Sequence, residues 1–156
     1  MKKLKLYLDT TIFNYVFADD TPKERDITCQ FFKQGNDFEL FISDVVLGEI
    51  DRCFEPKRKK MLELVSHHDM EILELNHAAR GLAALYVKAG IIPIKYEADA
   101  FHVAIASVFS MDMILSWNFQ HIVKFKTKRE VAGINLLNGY QPLEIYSPME
   151  VVDYVE

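Results

Sequence analysis

Leu4-Lys5-Leu6-Tyr7-Leu8-Asp9-Thr10-Thr11 is the stretch on which the reading of this chain turns. Residues 4–8 are apolar except for Lys5, the pattern of a strand buried on both faces. A carboxylate stands at the strand's end. Thr10 or Thr11 can then cap a helix that carries Ile12, Phe13, Tyr15, Val16 and Phe17 to about Ala18.

The same arrangement, a polar group set in an apolar run, recurs three times. Glu49 closes Ser43-Asp44-Val45-Val46-Leu47-Gly48-Glu49, Asp99 opens Asp99-Ala100-Phe101-His102-Val103-Ala104-Ile105-Ala106, and Asn118 follows Met113-Ile114-Leu115-Ser116-Trp117. Carboxylates are seldom buried without a partner. Three of them and an amide at the ends of core elements, if the fold gathers them, require a cation. Oxygen donors of this kind suit Mg²⁺ or Mn²⁺, which points to metal-assisted phosphodiester chemistry.

Between these points strands alternate with helices. Strands are expected at 4–9, 39–42, 70–75, 113–116 and 143–146. Helices are expected from Pro22 to Gly35, from Ser43 or Asp44 through Ile50, from Pro56 onward, from His77 to Lys88 behind an Asn76 cap, and from Glu97 to Phe109. Gly35-Asn36 and Gly90 serve as helix stops, residues 91–94 as a loop and Asn138-Gly139 as a turn. Residues 119–124 read as a short helix and 148–155 as a terminal one. Alternation of this kind makes βαβ units: a three-layer α/β/α sandwich around a central, mainly parallel sheet. In such folds ligands gather beyond the C-terminal strand ends.

The chain has 156 residues, half of them apolar, which suits one domain, 1–156, with 126–156 as a C-terminal extension. A net charge of −5 argues against broad electropositive binding of nucleic acid but leaves a nuclease open. Two cysteines without Cys-x-x-Cys spacing exclude a zinc ribbon and point to a cytoplasmic protein. The apolar runs are too short to span a membrane.

The four motifs, in this order and on this alternation, resemble the PIN domain, a family of metal-dependent ribonucleases that includes the VapC-type toxins of toxin–antitoxin pairs. The resemblance covers roughly residues 4–125. It implies Asp9, Glu49, Asp99 and Asn118 as catalytic metal ligands for Mg²⁺ or Mn²⁺, with Asn118 neutral where many relatives carry an aspartate. It further implies an RNA substrate, a cognate antitoxin and a homodimer. The alternative function is a non-catalytic PIN-like scaffold binding RNA or protein.

Other residues have plainer readings. His102, one helical turn past Asp99, reads as structural. Asp44 reads as a helix cap, Asp112 as a turn residue and His67-His68 as solvated. Trp117 either stacks a base or packs. The basic runs Lys57–Lys60 and Lys124–Arg129 read as solvated faces, with RNA contact open for either.

Overall fold

The computed structural model describes residues 2–34 and 37–153. Five strands, β1 (Leu4–Leu8), β2 (Phe38–Ser43), β3 (Met70–Leu73), β4 (Met113–Leu115) and β5 (Glu144–Tyr146), form one sheet in the order β3-β2-β1-β4-β5. Every pairing is parallel. Leu6, for example, pairs with Leu40 on one side and Met113 on the other.

Eight helices connect and flank the strands: α1 (Thr10–Tyr15), α2 (Pro22–Lys33), α3 (Asp44–Asp51), α4 (Lys57–His67), α5 (His77–Lys88), α6 (Glu97–Val108), α7 (Phe125–Leu137) and α8 (Pro148–Val151). Among the described residues they pack mainly in two groups, α1 to α4 with α8, and α5 to α7, as right-handed crossovers require, and α3 also meets α6. Central β1 is therefore covered on both sides. Leu6, Tyr7 and Leu8 are wholly buried, which explains an apolar run with no alternation. Truncating Leu6 or Leu8 to alanine in such a place costs about 2–5 kcal/mol.

The chain runs left from β1 to β2 and β3, then returns across the sheet to β4 and β5. The order thus reverses between β1 and β4. A crevice opens at the C-terminal ends of the two strands flanking such a reversal. Asp9 stands directly after one of these strands and Ser116 directly after the other.

Several local expectations are corrected. Helix α1 stops at Tyr15 rather than near Ala18, and its N-cap is Asp9, whose side chain accepts the Thr11 N–H. Ser43, not Asp44, caps α3 by accepting the Val46 N–H. Asp44 instead accepts the Leu75 N–H after β3. Pro56 is the N-cap of α4, not its first helical residue. Ile94–Tyr96 makes a 3₁₀ turn running into α6. Residues 119–124 form turns, not a helix, because Ile122 and Val123 N–H both fold back onto the Asn118 carbonyl.

Helix α7 was not foreseen. Its exposed Leu136 and Leu137 blur the apolar stripe, Gly133 lies inside it, and no side chain caps its start. Asn138-Gly139 does turn the chain, with Gly139 at φ +78°, a conformation glycine adopts without a Cβ penalty. The Gly35-Asn36 stop and the end of the helix expected over 148–155 lie outside the described residues. Among the described residues no helix is long and apolar enough to cross a membrane.

Candidate functional site

Asp9 is carried by the end of β1 into the crevice, where it is 2% exposed. Its Oδ2 accepts the Ser116 hydroxyl at 2.6 Å. Its Oδ1 accepts the Thr11 hydroxyl at 2.5 Å and the Thr11 N–H at 3.1 Å. Thr11 Oγ1 in turn accepts the Trp117 N–H, and Ser116 Oγ accepts the Asn118 N–H. The loops after β1 and β4 are thereby stitched together around one carboxylate. Burial nevertheless pushes Asp9 up from 3.8 to about 6; His102 and the two hydroxyls hold it down in part, and the charge of Asp99 pushes it further up. Buried negative charge here is only partly compensated.

Glu49 lies on α3 at the same edge. Thr10 Oγ1–H donates to its Oε1 at 2.8 Å, and His102 Nε2–H donates to the same oxygen at 2.6 Å. Burial would raise its pKa, but the bond to His102 and that ring's charge outweigh burial and lower it.

His102 is 2% exposed and continues a buried chain: its Nδ1 meets the Tyr7 hydroxyl at 2.7 Å, and that hydroxyl meets Ser43 Oγ at 2.7 Å. Burial pulls His102 down, yet the Glu49 bond and the charges of Glu49, Asp9 and Asp99 together raise it. Tyr7 is forced well above its ordinary value of 10 by burial, so its hydroxyl keeps its proton. The charges of Glu49, Asp9 and Asp99 thus all act on His102. Sequence reasoning treated it as structural, although its i+3 spacing from Asp99 was a visible signal.

Asp99, in the first turn of α6, is bound by His121, whose Nδ1 lies 3.0 Å from Oδ2. The His121 ring rests on Tyr96, with centroids 4.2 Å apart. Asn118 Oδ1 accepts the His121 N–H at 2.9 Å, so Asn118 shapes the turn that presents this histidine. His121 had no sequence signal beyond lying three residues past Asn118. Trp117 packs: it is 4% exposed, stacks on Tyr15 and donates Nε1–H to Thr28. His67 and His68 bond the carbonyls of Glu63 and Leu64, and Asp112 accepts the Lys5 N–H.

The fold thus has close solved counterparts in shape. The chain superposes on the VapBC2 complex of Rickettsia felis bound to a promoter DNA fragment with a TM-score of 0.56, at 14% identity, over 92% of this chain and 98% of that one. The chain has the PIN-domain fold. DNA-bound VapBC of Salmonella typhimurium gives the PIN chain a TM-score of 0.52 at 15% identity, covering 93% and 98% of the two chains. VapC20 of Mycobacterium tuberculosis, described as a sarcin–ricin-loop-cleaving toxin, gives 0.51 at 9% identity, covering 70% and 86%. No family model matches the sequence. No curated protein matches it either.

Asp9, Glu49, Asp99 and Asn118 carry hard oxygen atoms, the donor type Mg²⁺ or Mn²⁺ prefers, with the Asn118 side-chain oxygen already accepting the His121 N–H. Asp9, undercompensated and fully desolvated, is the donor that gains most from a cation. The present bonds to Glu49 both fall on Oε1. Among the described residues no three His, Cys, Asp or Glu side chains already close on one point as metal ligands. His102 and His121 stand as hydrogen-bonding partners to two of the three acids instead.

Proposed function

We propose that this chain is a divalent-metal-dependent endoribonuclease of VapC type, acting in the cytoplasm as the toxin half of a toxin–antitoxin pair. The observation that carries this is the buried, undercompensated Asp9 at the strand reversal, with the charge of Asp99 acting on it and the charges of Asp9, Glu49 and Asp99 all acting on His102. The fold shared with VapC proteins, one described as cleaving RNA, supports it. An antitoxin partner is supported by neighbours that are VapBC complexes. A homodimer is part of the same reading.

In this proposal Asp9, Glu49 and Asp99 hold Mg²⁺ or Mn²⁺, with Asn118 adding its carbonyl. The bound ion would lower the pKa of the attacking water and offset charge on the phosphoryl oxygens. Thr11 and Ser116 fix the rotamer of Asp9 through bonds to both of its oxygens. Thr10 and His102 fix Glu49 from one side, leaving its Oε2 as the oxygen to face the crevice. Tyr7 and Ser43 lock the His102 ring behind it. The hydrophobic walls from Leu8, Leu115 and Ile12 keep bulk water from the back of the site.

A second reading is the non-catalytic scaffold. It is favoured by the histidine partners of Glu49 and Asp99, which satisfy those acids without a metal. A mixed RNA pool incubated with Mn²⁺, with chelator, and with Asp9→Asn separates the two. The nuclease reading requires cleavage in the first arm alone. Intact RNA in all three arms overturns it.

A further inference from the structure

Beside the carboxylates, a cleft of about 420 Å³ opens between α3, α5 and α6. Gly48 and Arg52 of the α3 segment, Arg80 of α5, and Ala98 and Phe101 of α6 line it. Gly48 directly precedes Glu49 and Ala98 directly precedes Asp99, so the same helical turns of α3 and α6 that line the cleft carry two of the three acids of the site. Arg80 sits in the turn after the Asn76 cap, where α5 starts from the end of β3, and it therefore faces the same sheet edge as Asp9.

Two features of this cleft point to a ligand. The first is its arginines. Arg25 is tied to Asp19 and Asp26, and Arg58 to Asp51 and Glu55. Arg52 and Arg80 make no carboxylate ion pair among the described residues, in a chain with 23 Asp and Glu against 18 Lys and Arg. Asp44 also lines the cleft, but its carboxylate is engaged by the Leu75 N–H.

The second feature is preorganisation. The Arg80 guanidinium lies over the Phe101 ring, 5.6 Å from its centroid, a contact that favours one placement of the side chain over the cleft. The Arg52 guanidinium folds back over Gly48, its Nη1 3.9 Å from where a Cβ would stand. From there its charge reaches Glu49.

Two guanidinium forks lining one cleft, neither in a carboxylate ion pair among the described residues, match the bidentate recognition of phosphate. We propose that the Arg52–Arg80 cleft binds a backbone phosphate of the RNA strand next to the one cleaved, setting which stretch of strand lies over Asp9, Glu49 and Asp99. This rests on the ribonuclease reading of the neighbouring site. It also answers how an acidic protein attracts an anionic strand to three carboxylates: the attraction is local, one cleft away, rather than spread over the surface.

The test is binding of a fluorescent single-stranded RNA in chelator, followed by anisotropy as a function of salt, for wild type, Arg52→Gln, Arg80→Gln and Lys33→Gln. Lys33 ends α2 at the opposite edge of the sheet and controls for net charge. Each phosphate contact removed should lower the slope of log K against log salt by about 0.7. Arg80→Gln is the cleaner probe, because Arg52 also acts on Glu49. The cleft variants should bind at least about five-fold more weakly at low salt with the reduced slope, and Lys33→Gln should match wild type. Equal slopes in all four proteins overturn the proposal, as does wild type that fails to bind RNA. So does a poly-glutamate peptide that binds in an Arg80-dependent way while RNA does not. Mn²⁺-dependent cleavage measured on the same RNA tells the two failures apart. Cleavage with unchanged slopes refutes the cleft alone, and arginine-dependent binding without cleavage refutes the nuclease alone.

Discussion

Asp9→Asn should make the metal-free protein more stable at neutral pH, although it removes a bonded, buried side-chain charge. The Asp9 carboxyl is held at about 6 against an ordinary 3.8. At 1.36 kcal/mol per pH unit, that gap means the ionised carboxylate costs the fold about 3 kcal/mol once pH exceeds 6. The sign follows from proton counts. Between pH 3.8 and 6 the native state binds more protons than the unfolded chain, so the stabilising contribution is present below 3.8 and is lost as pH rises through 6. Asparagine removes this dependence. Its carbonyl keeps both Thr11 bonds, while its NH₂ must turn the Ser116 hydroxyl around, at about 1 kcal/mol. The net gain is about 2 kcal/mol at pH 7.5, or roughly 4–8 °C in Tm for a chain of this size. The gain vanishes and reverses by pH 4. In saturating Mg²⁺ the order inverts if Asp9 is a ligand, since ion at 100 times its Kd stabilises the wild type alone by about 2.7 kcal/mol. Thermal melts from pH 4 to 8, in chelator and in Mg²⁺, measure all of this. An Asp9→Asn protein less stable than wild type at pH 7.5 in chelator, by an amount independent of pH, would refute the reasoning.

Tyr7→Phe strips the buried chain of its middle hydroxyl, leaving His102 Nδ1 and Ser43 Oγ without that partner. It should cost about 1–3 kcal/mol in denaturant melts and weaken Mn²⁺-dependent cleavage about 10- to 100-fold through a loosened Glu49. An unchanged Mn²⁺ dependence would show that Glu49 does not need the chain behind it. Asn118→Asp keeps the oxygen that accepts the His121 N–H and adds a charge, so half-maximal cleavage should fall at lower Mn²⁺. A rise in the Mn²⁺ required would exclude position 118 from the ion's surroundings.

The layers and the parallel sense of the sheet were legible because parallel strands buried on both faces are written as apolar runs, as in Leu6-Tyr7-Leu8 and Met113-Ile114-Leu115, whereas the strand order was not. Ser43 and Asp44 stood side by side as candidates for α3 and only the structure chose Ser43, while the cap at Asn76 was legible because a single side-chain oxygen makes it. Helix α7 was not, since its stability comes from packing of Thr127, Val131 and Asn135 rather than from a clear stripe. Asn135 is buried against Tyr86 and Ser107, two residues that no local pattern links to it. The positions of Asp9, Glu49, Asp99 and Asn118 at element ends could be read from sequence. Their histidine partners could not, because His102–Glu49 and His121–Asp99 join residues from different elements. The Asp9 cap also shows why a cap and a ligand are not competing readings: one carboxylate oxygen satisfies the α1 start while the other faces Ser116.

Strand β5 bears on the order in which the molecule is made. Ser116, which holds Asp9, is itself held by the Tyr146 carbonyl, which accepts the Ser116 N–H at 3.0 Å. About 30 residues separate the two, so at about 5–20 residues per second a ribosome finishes the clamp roughly 2–6 seconds after it makes Ser116. Until then β4 is a bare sheet edge and the loop bearing Ser116 and Asn118 has nothing outside it to rest against. A nascent chain therefore carries all three acids well before it has the strand that sets them. Synthesis that stalls before Tyr146 leaves a protein with the acids present and the crevice unassembled.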